Sequence, residues 1–222
     1  ALYRQGVSVP QVIAYDFDLG FMLLSDLGDT LLRPCLNEQT VDALYQQAMR
    51  QILVIQPCQS PENYLIPPYD QTRLLFEMSL FKDWFVSQYL ALSLSAEEIQ
   101  IIDDCCQTIA TAIAEQPTGF VHRDFHSRNL MVLADGQLGV IDFQDGLMGA
   151  ITYDLVSLLR DAYVEWPNER VVAWVEDFRQ LLIAEGRLSN VNQQQFLAWF
   201  DWMGAQRHLK VLGIFARLSI RD

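Results

Sequence analysis

The stretch Val121-His122-Arg123-Asp124-Phe125-His126-Ser127-Arg128-Asn129 decides the reading of this chain, together with the two apolar runs downstream: Leu130-Met131-Val132-Leu133 and, after a turn, Leu138-Gly139-Val140-Ile141-Asp142-Phe143. Asn129 to Leu133 reads as a strand. Ala134-Asp135-Gly136 is turn chemistry with a residue suited to positive φ, and Leu138 to Ile141 reads as the returning strand. The hairpin thus has a carboxylate (Asp124) and an amide (Asn129) on its entering side, and a second carboxylate (Asp142) at its exit.

Phosphoryl transfer from a nucleotide uses such parts. One carboxylate orients and deprotonates a hydroxyl, while an amide and a second carboxylate hold Mg²⁺ on the phosphates. The spaced combination is far more specific than any one of its pieces. A hairpin with acidic loops and no chemistry is the alternative.

The pattern His-x-Asp-x-His-x-x-Asn (His122, Asp124, His126, Asn129), then Ile141-Asp142-Phe143, then Asp154-Leu155 at the head of a helix, resembles the aminoglycoside phosphotransferase family. That family is the small-molecule branch of the protein-kinase-like fold. Protein kinases usually carry Lys where His126 stands, and Gly where Gln144 stands. They also close a long activation segment with Ala-Pro-Glu, which does not occur here. The resemblance implies ATP and Mg²⁺ as cofactors and a small-molecule hydroxyl as acceptor. It implies Asp124 as catalytic base and Asn129 and Asp142 as metal ligands. It makes Leu24-Ser25-Asp26-Leu27-Gly28-Asp29 the hinge, with the Ser25 carbonyl and the Leu27 N–H facing adenine. His122, His126 and Asp154 are expected to brace the loop, His126 by touching either a phosphate or the loop backbone, and Asp154 while capping its helix.

Two further stretches, Tyr153-Asp154-Leu155-Val156-Ser157-Leu158-Leu159-Arg160-Asp161 and Gln206-Arg207-His208-Leu209-Lys210-Val211-Leu212-Gly213, are similar to one bacterial branch of that family. Its members phosphorylate the anomeric hydroxyl of N-acetylmuramate and N-acetylglucosamine in cell-wall sugar recycling. This makes Arg160, Asp161, Arg207, His208 and Lys210 the candidate substrate residues. Arg207 and Lys210 are one helical turn apart, suited either to a muramate carboxylate or to a solvated basic patch. Trp199, Phe200 and Trp202 precede them, and aromatics beside polar groups suit a sugar. Aminoglycoside, choline or homoserine kinases remain alternatives within the family. A non-catalytic pseudokinase is the alternative of a different class.

The rest of the chain bounds these readings. Its 222 residues carry a net charge of −13, which argues against nucleic-acid binding because phosphate contacts need Lys and Arg. Half the residues are apolar, so a substantial core is expected. Cys35, Cys58, Cys105 and Cys106 form no metal or disulfide pattern, and no apolar run is long enough for a membrane span, so a cytoplasmic setting is expected. No glycine-rich phosphate loop can be drawn. The two lysines are Lys82 and Lys210, and no glutamate precedes Glu38. With a start at Ala1 inside what reads as a helix tail, the expectation is a fragment lacking most of the small lobe and inactive by itself.

The expected fold class is α+β: a kinase-like, mostly helical large lobe over residues 31–222, with the catalytic hairpin, and the end of the small lobe with the hinge over 1–30. Ala1 to Gln5 reads as a helix tail closed by Gly6. Val7 to Tyr15 and Gly20 to Ser25 are expected strands around the Asp16-Phe17-Asp18 turn. Expected helices are Glu38–Gln56 capped by Asn37, Asp70–Ala91 with a buried aromatic stripe, and a helix opened by the Ser95-x-x-Glu98 capping box and buried through Ile99, Ile102, Cys106, Ile109 and Ile113. Asp154–Val164, Asn168–Ala184 and Val191–Leu218 complete the set.

Overall fold

The structure is a computed structural model and describes residues 2–221. The chain forms two compact units, one of residues 1–67 and 119–174, the other of residues 68–118 and 175–222. Ala1, which opens the expected helix tail, lies outside the described residues.

The first unit begins with a 3₁₀ turn, Leu2–Gln5, which Gly6 closes through its N–H on the Tyr3 carbonyl. Strands β1 (Val12–Asp16) and β2 (Phe21–Leu24) pair antiparallel, with a register shift between Val12 and Ala14. Asp16 holds their turn by accepting the Leu19 N–H at 3.0 Å. Both faces of this hairpin are exposed, Phe17 and Phe21 included. A short helix α1 (Leu32–Cys35) leads to α2 (Val41–Ile55), which buries Tyr45, Ala48, Met49, Ile52 and Ile55 at helical spacing. The expected start at Glu38 falls a turn early. Asn37 does accept the Gln39 and Thr40 N–H groups, but that stabilises the turn before the helix.

The remainder of this unit carries the hairpin. β3 (Thr118–Val121) pairs with β6 (Leu147–Ala150), and β4 (Leu130–Val132) pairs antiparallel with β5 (Leu138–Val140) in register Leu130 to Val140 and Val132 to Leu138. Gly136 sits in the β4–β5 turn at φ +79°, which a Cβ would oppose. Helix α5 (Tyr153–Leu159) comes after β6, and every one of its residues is buried. It ends five residues before the expected Val164, because Arg160 leaves the helical region at φ −117°, ψ 49°. Helix α6 (Asn168–Ala184) then runs out of this unit into the other.

The second unit is helical. Asp70 caps α3 (Gln71–Leu80) by accepting the Arg73 N–H. The long helix expected here does not stay α: from Phe81 to Tyr89 it widens into a π-helix. That changes the angular step between residues, so the aromatic stripe does not enter the core. Phe76 and Tyr89 are exposed, while Phe81, Phe85 and Tyr89 stack on one another at 5.5 and 5.9 Å. Helix α4 (Ala96–Ala114) opens with the capping box as expected. Its buried face is Cys106, Ile109, Ala110 and Ile113; Ile99, in the first turn, is exposed. Helix α7 (Gln193–Arg221) closes the unit. A Cβ at its Gly213 would lie 2.4 Å from the Leu80 carbonyl carbon, so the bare glycine lets α7 press on the backbone where α3 turns into the π-helix.

Candidate active site

The chain leaves β3 at the buried Val121 and enters the loop through His122, which is 1 % exposed. The His122 ring is pinned from both sides. Its Nε2 donates to the Ile141 carbonyl at 2.8 Å, and its Nδ1 accepts the Asp124 N–H at 3.3 Å. It ties the start of the loop to the residue before Asp142.

Two residues near this point have left-handed backbones: Arg123 at φ +78° and Asp142 at φ +63°. Neither is glycine, and each such conformation costs on the order of 1 kcal/mol or more unless its surroundings hold it. At Arg123 the hold is Asp154. Its carboxylate accepts the His122 N–H at 2.7 Å and the Arg123 N–H at 3.0 Å. Asp154 is fully buried. Burial pushes its carboxyl above the ordinary range, against the downward pull of His122 and the two N–H groups. It lies in the first turn of α5 and does not cap it; Thr152 holds the cap position.

The second half of the loop is gripped from the far end of the same helix. Asp161 accepts both the Ser127 N–H at 2.9 Å and the Ser127 hydroxyl at 2.5 Å through Oδ2, and the Tyr163 N–H through Oδ1 at 2.9 Å. The Ser127 carbonyl in turn accepts the Arg33 N–H from α1. Between these anchors the loop doubles back. The His126 N–H bonds to the Asp124 carbonyl, and the Asn129 N–H to the His126 carbonyl.

This folding brings the three principal residues together. The Asn129 amide donates through Nδ2 to the Asp124 carbonyl at 3.0 Å and to Asp142 Oδ2 at 3.4 Å. With its NH₂ committed to Asp124 and Asp142, Asn129 has Oδ1 left as an oxygen donor. Gln144 Nε2 holds the other Asp142 oxygen at 2.6 Å. The Asp124 carboxylate itself accepts no hydrogen bond among the described residues, and Asp124 is half-buried. Two hard oxygen donors side by side fit Mg²⁺, which keeps several waters and takes the rest of its shell from substrate phosphates. No group of three or more His, Cys, Asp or Glu residues among those described could cage a metal without such help.

The expected hinge residues are described by their backbone contacts. Ser25 accepts the Gln11 N–H through its hydroxyl and donates its own N–H to the Gln11 carbonyl, both at 2.8 Å. Its carbonyl and the Leu27 N–H make no hydrogen bond among the described residues. Asp26 to Thr30, with Val132 to Asp135, line a cleft of about 690 Å³.

The structure places the other expected residues as follows. Asp161, a candidate substrate residue, has both oxygens engaged by the loop and its own turn. His126 turns its ring edge-on to Tyr163 at 5.6 Å. Arg160 is half-buried at the C-terminal end of α5. In the helical unit, Arg207 and Lys210 form no solvated patch, being 4 % and 7 % exposed, whereas His208 is exposed. Lys210 Nζ lies 3.4 Å from Glu77, whose carboxylate also receives the Tyr69 hydroxyl and the Gln206 amide. Trp199 and Phe200 are core; Trp202 is partly exposed. The sequence reading missed Gln144, Tyr163 and the Asp161 brace. A lone Gln and Tyr carry no motif, and the Asp161–Ser127 contact spans thirty-four positions.

Residues 1–190 match the family model described as a phosphotransferase enzyme family. The chain is 44 % identical over 220 residues to an N-acetylmuramate/N-acetylglucosamine kinase of Neisseria meningitidis, covering 97 % of this chain and 65 % of that protein. It is 39 % identical over 217 residues to a protein of the same description from Pseudomonas aeruginosa, covering 98 % and 63 %. The chain therefore spans just under two thirds of the length of the curated relatives it matches. Among solved structures, it resembles a Plasmodium vivax ethanolamine kinase at TM-score 0.62 and 11 % identity, covering 94 % and 62 % of the two chains. It resembles an aminoglycoside-3'-phosphotransferase of type VIII at TM-score 0.58 and 13 % identity, covering 92 % and 76 %. At such identities these likenesses establish the kinase-like α+β fold.

Proposed function

The chain belongs to the phosphotransferase enzyme family, and from that premise we propose that the protein transfers a phosphoryl group from ATP, with Mg²⁺, to the anomeric hydroxyl of N-acetylmuramate or N-acetylglucosamine. The observation that carries the reading is the meeting of an unpartnered Asp124 carboxylate with the Asn129–Asp142 pair on one braced hairpin. The amino-sugar acceptor is supported by the likeness to the N-acetylmuramate/N-acetylglucosamine kinases of Neisseria meningitidis and Pseudomonas aeruginosa.

In this reading the acceptor hydroxyl lies against Asp124, which orients it and takes its proton as the acceptor oxygen bonds the γ-phosphorus of ATP and the bond from that phosphorus to ADP breaks. Because phosphoryl transfer passes through a loose transition state, placement of that hydroxyl matters more than the basicity of the carboxylate. Asn129 and Asp142 would hold Mg²⁺, which would supply neutralisation of phosphate charge. His122 and Asp154 keep Asp124 in place without taking part. The Ser25 carbonyl and the Leu27 N–H meet the adenine edge. The acceptor is a small molecule rather than a nucleic acid or membrane, in keeping with the net charge of −13 and with the lack, among the described residues, of a helix long and apolar enough to cross a membrane. Four unpaired cysteines suit a reducing compartment, and we place the protein in the cytoplasm.

The test is a phosphate-transfer screen of the full-length protein over both N-acetylated sugars, an aminoglycoside, choline and homoserine, with product position read by phosphorus NMR. A sugar 1-phosphate is expected. Transfer only to an aminoglycoside, choline or homoserine would replace the acceptor. No transfer to any of them would favour a non-catalytic binding protein.

A further inference from the structure

Arg207 and Lys210 were the expected partners for an acidic sugar, yet Lys210 is already neutralised by Glu77. The catalytic hairpin's own unit offers a different pair. The Arg128 guanidinium carbon lies 4.7 Å from the centre of the Tyr163 ring, and that of Arg33 lies 6.0 Å from the same ring. His126 meets the ring edge-on at 5.6 Å. Both arginines are exposed, and neither guanidinium has a hydrogen bond or an acidic partner among the described residues, in a chain with 28 acidic side chains against 15 Lys and Arg.

Main-chain contacts fix where this pair stands. Arg128 immediately precedes Asn129, whose amide bonds back to Asp124. Arg33 is tied in through its N–H on the Ser127 carbonyl. Tyr163 is held by its N–H on Asp161, the carboxylate that also grips Ser127. Two exposed planar cations are therefore collected on one aromatic platform tied to the loop that carries Asp124. A planar carboxylate is the group that guanidinium forks match in two-point fashion.

We propose that Arg128 and Arg33, seated on Tyr163, form the subsite for a carboxylate on the acceptor, and so set how strongly the enzyme favours an acidic over a neutral amino sugar. The proposal rests on the amino-sugar reading above. The same chemistry could instead grip a nucleotide phosphate, and the test separates the two.

Full-length wild type, Arg128→Gln, Arg33→Gln, the double variant and Arg128→Lys are compared for kcat/KM on N-acetylmuramate and N-acetylglucosamine at saturating ATP, and for KM of ATP. For each Arg→Gln change, kcat/KM on N-acetylmuramate should fall about tenfold, as expected for loss of a charge-assisted hydrogen bond. The neutral sugar and the KM of ATP should stay within about twofold, and Arg128→Lys should lie between. The melting temperature should not move, since both side chains are exposed. Equal losses on the two sugars, a raised KM for ATP, or no loss on N-acetylmuramate would each overturn the proposal while leaving the amino-sugar function standing. Wild type that transfers to neither sugar would overturn both.

Discussion

The side-chain Nδ2 of Asn129 donates to the main-chain oxygen of Asp124 at 3.0 Å and also reaches Asp142 Oδ2 at 3.4 Å, so one NH₂ group closes the loop and ties it to Asp142. One amide thereby sets two spacings: that of the acceptor-orienting carboxylate and that of the metal-facing pair. Changing Asn129 should disturb both. In the full-length protein, Asn129→Ala should raise the Mg²⁺ concentration needed for half-maximal rate and lower kcat. Asn129→Asp, which restores an oxygen but no donor, should recover the Mg²⁺ response more than kcat. Magnesium titrations of steady-state rate would check this. Full recovery of both by Asn129→Asp would show that the bond to Asp124 does not matter.

Asp124→Asn removes the proton acceptor and keeps the shape. Because the Asp124 oxygens bear no internal hydrogen bond, folding should be unaffected. Turnover should fall by about 10²–10⁴, the usual share of a general base. Rapid-quench measurement of sugar phosphate, alongside a thermal melt, would separate the two effects.

Asp161→Ala strips Ser127 of the acceptor for both its N–H and its hydroxyl inside a buried pocket. The cost should be about 2–3 kcal/mol, as for hydrogen bonds to a charged group, seen as a lower denaturation midpoint. Turnover should drop with the loosened loop, while Asp161→Asn should preserve part of both. An unchanged midpoint in Asp161→Ala would remove the bracing role.

Burial raises the Asp154 carboxyl above its ordinary value of 3.8. Between that value and the folded one, the folded chain binds more proton at this site than the unfolded chain. The stability it contributes is thus complete below about 3.8 and declines as pH climbs toward the folded value. Asp154→Asn removes this titration. The stability difference, wild type minus variant, should shrink as pH rises from about 3 toward neutrality. Urea unfolding of both proteins across that range would test it, and a difference that grows with pH would contradict the sign.

Gly213→Ala would place a Cβ 2.4 Å from the Leu80 carbonyl carbon, and backbone cannot swing aside as a side-chain tip can. The helical unit should lose about 1–3 kcal/mol, as for overpacked cores. Hydrogen exchange should show the loss centred on the junction of α3 and the π-helix. Protection unchanged there would mean that α7 has room to shift.

What could be read directly from the sequence was local. The turn at Asp135-Gly136, the Ser95–Glu98 capping box and the spacing from Asp124 through Asn129 to Asp142 are set by residues near one another in the chain. All three stand where the pattern put them. The contacts that could not be read are between distant segments. Nothing near Lys210 marks Glu77 as its partner, and nothing near Ser127 marks Asp161. The π-helix was hidden for a different reason: Phe81, Phe85 and Tyr89 recur at an interval that an α-helix also satisfies, so periodicity alone could not expose the wider turn. Asp154 was legible as a brace but not in its position, since a carboxylate in the first turn and one at the cap look alike in sequence.

The two carboxylates of the α5 region hold the loop through main-chain N–H groups and the Ser127 hydroxyl, and take nothing from the side chains at 126 and 128. Replacing Arg128 would therefore leave both of these carboxylate grips on the loop in place. If the proposed Arg128 subsite reads the acceptor, substrate preference would be open to change by a single substitution that spares the anchoring of the loop.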